Sequence, residues 1–161
     1  LAMLSRDEQQ VMLTDWNATA AVYPLETSVQ QLIEAQVLKS PDAPALAFGE
    51  ERLTYAQLNT RANRLAHQLI AQGVGPDVLV GIAVERSIEM VVGLLAVLKA
   101  GGAYVPFDPE YPQERLQYMI EDSGIELLLT QQSLLAQLPI PQGVQTLVLD
   151  QVDNAGFSSE N

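Results

Sequence analysis

LLAVLKAGGAYVPFDPEYPQERLQYMIEDS, residues 94–123, is the stretch that decides the fold of this chain. It begins inside a run of apolar residues at helical spacing, namely Met90, Val91, Leu94, Leu95 and Leu98. Lys99 falls in the last turn of that run, where a cation interacts favourably with the helix dipole, and Gly101 with Gly102 can end the helix. The pattern therefore predicts a helix that stops at the two glycines.

A short strand and a second helix are predicted after the glycines. Ala103–Phe107 is apolar and is closed by Asp108-Pro109, which predicts a buried parallel strand. Pro112 stands at the favoured first position of a helix, and Gly124 lies just past its end. Because helix, strand and helix follow one another through short connections, we expect the sheet to be parallel.

The same alternation continues on both sides of this stretch. Val78–Val84 is an uninterrupted apolar run, typical of a strand covered on both faces. Further strands are predicted at Ile125–Thr130 and Thr146–Asp150, with a short helix at Gln131–Leu138 between them, and the polar residues 153–161 are typical of a connector. The predicted fold is α/β, with a parallel doubly wound sheet flanked by helices.

The region before the sheet is predicted to hold a hairpin and a long helix. Ala45–Phe48 and Arg52–Tyr55 flank a Gly-Glu-Glu turn, which indicates a β-hairpin. Thr54 and Gln57 form a capping box for the helix that follows, and Gly73 comes after its end. The predicted buried stripe of this helix is Leu58, Ala62, Leu65, Ala66, Leu69 and Ile70.

The opening residues differ in pattern from the rest. Leu4–Trp16 has the pattern of a short amphipathic helix, and Asn17–Pro24 that of an extended connector, so we expect a boundary near Pro24. Thr27 with Gln30 predicts the capping box of the first helix after this boundary.

Composition excludes several classes of function. The chain has 161 residues and a formal net charge of -12, which disfavours binding to a nucleic-acid backbone or an anionic membrane surface. It has no Cys and one His, which excludes disulfides, thiolate metal sites and a multi-histidine metal cluster. No apolar run reaches the ~20 residues that span a bilayer, so the expected partners include neither nucleic acid nor membrane and the expected compartment is the cytosol.

A candidate site is predicted where the strand at Ala103–Phe107 ends. Ligands of open α/β sheets bind beyond the carboxyl ends of the strands, which places Asp108 and the PEYP loop near a crevice. Either Asp108 or Arg115 contacts a ligand there, or Asp108 organises the loop and Arg115 pairs with a nearby acidic residue or loop carbonyl. The residue pattern favours the second interpretation and leaves the first open.

Other chemical signals are weak. Gly73-Val74-Gly75 is followed by a strand, so it lacks the geometry of a dinucleotide-binding turn, and Lys39 and Lys99 lie at helix ends that do not resemble a phosphate cradle. Gly101-Gly102 either approaches a ligand or packs tightly at the helix end, and the second is favoured. His67 has no Ser, Cys or acidic partner pattern, which indicates a structural or surface role. We therefore assign no catalytic, cofactor-binding or metal-binding residue.

Two segments resemble a known family. The first is residues 53–66, LTYAQLNTRANRLA, and the second is residues 98–123, LKAGGAYVPFDPEYPQERLQYMIEDS. They resemble the first two core motifs of the adenylation domains of nonribosomal peptide synthetases. LSRDEQQVMLTDWNATAAVYP, residues 4–24, is similar to the linker that joins a condensation domain to an adenylation domain. The resemblance implies a linker over residues 1–24 and an incomplete N-terminal portion of an adenylation domain over residues 25–161.

The resemblance also implies an activity for the parent enzyme. Such a domain activates an amino acid or related carboxylic acid with ATP and Mg²⁺, forming an acyl-adenylate, and transfers the acyl group to the phosphopantetheine thiol of a carrier domain. The implied partners are an upstream condensation domain, the remainder of the adenylation domain and the carrier domain. The family's phosphate loop, substrate pocket and catalytic lysine come later than these residues, so the chain itself is expected to be inactive. The alternatives are a piece of a stand-alone acyl-CoA ligase and a non-catalytic scaffold for domain contacts.

Overall fold

The computed structural model describes Ser5, Asp7, residues 28–151 and residues 154–161. The elements in these residues are α1 (Val29–Lys39), β1 (Pro44–Phe48), β2 (Glu51–Thr54), α2 (Tyr55–Ala71), β3 (Leu79–Ala83), α3 (Ile88–Lys99), β4 (Ala103–Pro106), α4 (Gln113–Ser123), β5 (Leu127–Thr130), α5 (Gln132–Leu135) and β6 (Gln145–Val148). The predicted linker helix, including Trp16, lies outside the described residues apart from Ser5 and Asp7.

The four later strands form one parallel sheet in the order β4-β3-β5-β6. The chain passes from β3 to the edge strand β4 and then returns across β3 to β5. In register, Ile82 of β3 faces Pro106 of β4 on one side and Leu129 of β5 on the other. The strand order therefore reverses around β3, which confirms the predicted doubly wound sheet.

Two hydrophobic clusters cover the two faces of this sheet. One cluster combines β3 and β5 with α2 and α3, and the hairpin and Ile33 of α1 pack against it. The other is built from α4, α5 and the loops beside them, with Phe107, Leu116, Ile120 and Leu128 among its buried members. Helices thus flank both faces, as predicted. Ile70 is an exception to the predicted α2 stripe, because this residue is 48% exposed.

The helix caps are mostly those expected from the sequence. Thr54 and Gln57 form the predicted reciprocal capping box at the start of α2. At α1 the prediction is displaced by one residue, because Ser28 and Gln31 form the box instead of Thr27 and Gln30. Thr27 itself lies outside the described residues. The antiparallel β1–β2 hairpin between these helices is confirmed.

The prediction that β4 is buried is wrong. Ala103, Tyr104 and Pro106 are exposed, and only Val105 of this strand is half-buried. The backbone N–H groups of Ala103 and Phe107 donate towards β3, so those of the alternate residues point away from it. Pro106 occupies an outward position and has no N–H to offer, which suits the edge of a sheet. An apolar run without polar alternation therefore did not distinguish an edge strand from a central one.

Gly101 and Gly102 end α3 by two different means. Gly101 has φ +85°, the left-handed conformation common just past a helix, and its N–H donates to the carbonyl of Leu98. A Cβ on Gly102 would lie 2.9 Å from Cγ1 of Val74 and 3.1 Å from the carbonyl oxygen of Val78. Helix termination and close packing therefore account for both glycines, as the sequence favoured.

The last described residues, 154–161, form an irregular segment that begins with a turn, and we call this segment the C-terminal strap. Its predicted connector conformation is confirmed in that it contains no helix or strand. It is nevertheless held against the fold, since Asn63 of α2 donates to the carbonyl of Ser159 at 2.8 Å. Among the described residues, no helix is long and apolar enough to cross a membrane.

Candidate functional site

A cleft of about 820 Å³ opens at the carboxyl ends of β3 and β4. Its floor is apolar and includes Ile82, Met90 and Phe107. Polar side chains stand among the lining residues, namely Glu85, Arg86, Asp108, Glu110 and Gln137. An apolar cleft with a few polar groups at the ends of parallel strands is a usual ligand-binding place in an α/β fold.

Asp108 lines this cleft, which confirms its predicted location. Its carboxylate oxygen Oδ1 accepts the backbone N–H of Glu110 at 2.9 Å, and its carbonyl accepts the N–H of Tyr111 at 3.1 Å. These two bonds fold the loop back on itself. The observed contacts of Asp108 are therefore those of a loop organiser.

Arg115 lies outside the residues that line the cleft. Its guanidinium carbon lies 4.5 Å from the centroid of the Tyr111 ring, within cation–π distance. The sequence led us to expect an acidic partner or a loop carbonyl, whereas the observed partner is an aromatic face. Arg115 thus braces the loop from outside.

A polar network holds the rim of the cleft between β3 and β5. The side-chain oxygen of Gln131 accepts the N–H of Glu85 at 2.9 Å, and the hydroxyl of Ser87 donates to the carbonyl of Glu85, also at 2.9 Å. The same hydroxyl accepts the N–H of Met90 at 3.2 Å and so caps α3. Sequence reasoning missed Gln131, because no local pattern signals a contact across 46 positions.

A buried hydroxyl lies beside this network. Thr130, the last residue of β5, is fully buried opposite Ala83, and its Oγ1 has no hydrogen-bond partner among the described residues. Such a group is costly to leave unpaired. Three other buried polar atoms without a partner among the described residues, in Asn59, Arg64 and Gln68, lie on α2, so Thr130 is the one at the switch point of the sheet.

The charge of the cleft limits what it can bind. Glu85, Asp108 and Glu110 carry three negative charges, against the single positive charge of Arg86. This balance favours neutral or cationic groups and opposes a polyphosphate. The residues of the cleft do not fit the phosphates of ATP.

The remaining candidates lie elsewhere. Lys99 pairs with Glu34 of α1, and Lys39 ends α1 in an exposed position. Nε2 of His67 lies 2.9 Å from the carbonyl oxygen of Glu160, in agreement with a structural role. Within the described part of the chain, no cluster of acidic and histidine side chains is arranged to hold a metal ion.

Comparison with known proteins gives the family. The profile of the AMP-binding enzymes matches residues 33–160, from within α1 into the C-terminal strap. The chain belongs to the AMP-binding enzyme family. The cleft at the ends of β3 and β4 is therefore a feature of a chain of the AMP-binding enzyme family.

Among curated relatives of this AMP-binding chain are large peptide synthases. It is 58% identical over 136 residues to tyrocidine synthase 3 of Brevibacillus parabrevis, covering 84% of this chain and 2% of that protein. It is 48% identical to tyrocidine synthase 2 of the same species over 161 residues, which is 100% of this chain and 4% of the relative. The chain thus spans only a few per cent of the length of these relatives.

A solved structure agrees with the family assignment. The nonribosomal peptide synthetase FmoA3, in a form with α-methyl-L-serine-AMP bound, superimposes with a TM-score of 0.86 at 33% identity, covering 99% of this chain and 18% of that one. Each of the two motifs of the AMP-binding chain spans a run of consecutive elements. Residues 53–66 form the end of β2 and most of α2, and residues 98–123 run from the end of α3 through β4 to the end of α4.

Proposed function

We propose that this chain is the first α/β portion of the adenylation domain of a nonribosomal peptide synthetase. The whole domain activates an amino acid or related carboxylic acid with ATP, releasing pyrophosphate and forming an acyl-adenylate. The observation that carries the proposal is the match of residues 33–160 to the AMP-binding enzymes, combined with 58% identity to a peptide synthase.

Bound ligands in a related structure support the nucleotide part of the proposal. FmoA3 has been solved with AMPPNP, at a TM-score of 0.84 and 34% identity to this chain. By extension, the whole domain from which this chain comes binds ATP, with Mg²⁺ as the counter-ion of the phosphates. The acidic cleft at β3 and β4 is a poor place for the phosphates, so we assign them to residues outside this chain.

The domain boundaries form part of the proposal. Residues 1–24 act as the linker to an upstream condensation domain, and residues 25–161 begin the adenylation domain. Downstream, the acyl group passes to the phosphopantetheine thiol of a carrier domain. The resemblance of residues 4–24 to such linkers supports the upstream partner.

Two other functions compete with this one. A stand-alone acyl-CoA ligase would share the fold, but the linker-like opening and the peptide-synthase relatives favour the synthetase. A non-catalytic scaffold would use the same surfaces only for domain contacts. These functions differ in whether the segment supports catalysis when it is joined to the rest of an adenylation domain.

A segment exchange tests the proposal. Residues 33–160 of this chain replace the matching segment of a nonribosomal peptide synthetase that shows amino-acid-dependent exchange of pyrophosphate into ATP. We expect the chimera to retain exchange with the amino acid of the recipient, because the substrate pocket lies outside the exchanged segment. A chimera that melts cooperatively but shows no exchange with any amino acid would favour the scaffold.

The matched control is the same chimera with Gly81→Val, which should fail to fold because Gly81 has no room for a side chain. Exchange that persists in this control would come from contaminating enzyme. Formation of an acyl-CoA instead of a carrier-bound product would favour the ligase.

A further inference from the structure

The C-terminal strap ends on one face of α2. Asn59 and Asn63 are four residues apart and therefore lie on the same side of the helix. The side-chain nitrogens of both donate to Oδ1 of Asn161 at 2.9 Å, and Asn63 also donates to the carbonyl of Ser159. Asn63 is only 2% exposed, so these bonds lie at the edge of the core.

Lys99 reaches the same oxygen from α3. Its ammonium nitrogen lies 3.2 Å from Oδ1 of Asn161 and 2.5 Å from Oε1 of Glu34. Only 4% of the Lys99 side chain and 24% of the Glu34 side chain are exposed. The ammonium group of Lys99, a residue of α3, thus contacts both α1 and the strap.

The contact of Lys99 with Asn161 depends on its contact with Glu34. A lysine ammonium has three hydrogens to donate, and away from water it needs partners for them. Glu34 supplies the compensating charge and Asn161 a second acceptor, from positions 65 and 62 residues away in sequence. If Glu34 loses its charge, the ammonium has to turn towards water, and it then no longer holds Asn161.

We propose that Lys99 couples α1 to the C-terminal strap, so that a displacement of α1 loosens the strap at Asn161, while Asn63 and His67 of α2 still contact Ser159 and Glu160. Because α1 follows the linker proposed for residues 1–24, a movement at the upstream junction would reach Asn161 of the strap through Lys99. This last consequence rests on the proposed function, whereas the coupling itself does not.

The test measures the order of the strap by heteronuclear NOE in the 161-residue chain, after a cooperative melt has established that the chain is folded. In Glu34→Gln and in Lys99→Met, we expect the NOE of Asn161 to fall, while that of Ser159, which Asn63 holds, falls less and that of β3 and β5 stays unchanged. Glu34 contacts Lys99, and Lys99 contacts Asn161, so Glu34→Gln and Lys99→Met should lower the NOE of Asn161 alike if the effect passes through Lys99. An unchanged strap in Glu34→Gln would overturn the proposal.

The chain offers a matched control, because Lys39 and Lys99 are its two lysines. Lys39→Met removes an exposed charge from the end of α1 and should leave the strap ordered. Loss of order in Lys39→Met equal to that in Lys99→Met would also overturn the proposal, since any charge change near α1 would then suffice.

A second measurement follows the lysines directly. Limited acetylation should modify Lys39 well before Lys99 in the unaltered chain. Both Glu34→Gln and Asn161→Ala should then raise the rate at Lys99 several-fold and leave Lys39 unchanged. Faster acetylation of both lysines, or a lower NOE throughout the chain, would indicate general destabilisation and contradict a specific coupling.

Discussion

The Phe107 ring packs directly against the backbone of Gly81 in β3. A Cβ on Gly81 would lie 2.9 Å from Cε2 of Phe107 and 2.8 Å from Cδ1 of Leu128, and closer still to Ile125. The hydrophobic cluster under α4 therefore packs directly against the backbone of a central strand, at a residue without a side chain. This contact brings Phe107, the residue just before Asp108, to the floor of the cleft.

Replacing Gly81 should destabilise the fold. We expect Gly81→Ala to lower the free energy of unfolding by about 1–3 kcal/mol, because the added methyl overpacks the cluster. Urea denaturation measures the change. Gly75→Ala is the control, since a Cβ there meets nothing within 4 Å, and it should change stability by less than about 1 kcal/mol. Equal effects of the two substitutions would contradict the packing argument.

Gly102→Val should also destabilise, and the reason is contact rather than backbone strain. Gly102 is not among the glycines with positive φ, but its Cβ would meet the side chain of Val74 and the carbonyl of Val78. We expect a loss of at least about 1–2 kcal/mol and a lower soluble yield. In the segment-exchange chimera, amino-acid selectivity should stay the same. Normal stability with altered selectivity would make Gly102 a site residue.

The role of Asp108 can be separated from ligand binding by two substitutions. Asp108→Asn keeps an acceptor for the Glu110 N–H and should change stability by less than about 0.5 kcal/mol, whereas Asp108→Ala removes it and should lower the melting temperature. Neither should change the KM for ATP or for the amino acid in pyrophosphate exchange by the chimera. A raised KM in the stable Asn variant would show that Asp108 contacts a ligand.

The chain by itself should show no amino-acid-dependent exchange of pyrophosphate into ATP. The phosphates of ATP need backbone amides, cationic side chains and usually Mg²⁺, whereas the cleft carries three carboxylates against one guanidinium. A cooperative melt must first establish that the chain is folded, and exchange is then measured with a panel of amino acids. Robust exchange by the folded chain would return Asp108 and Arg115 as candidate ligand contacts.

Local sequence signals predicted the elements well because their causes lie within a few residues. The capping box of Thr54 with Gln57 and the left-handed Gly124 after α4 both need only one helical turn of chain. The alternation of helix and apolar strand was enough to predict a parallel doubly wound sheet. It also placed Asp108 at the end of a strand, and therefore beside the cleft.

Only the tertiary structure decided which strand lies at the edge and which side chains meet across the fold. The apolar run at residues 103–107 looks like a central strand, yet in the described part of the chain β4 has a neighbouring strand on one side only. Lys99 looked like a residue suited to a helix end, yet its ammonium joins Glu34 to Asn161. Both outcomes depend on the order of strands and on contacts between residues far apart in sequence. The sequence by itself determined the elements and their parallel arrangement, because these follow from neighbouring residues. The cleft and the coupling through Lys99 were determined by the packing of the folded chain, because the pattern of neighbouring residues does not indicate contacts between distant ones.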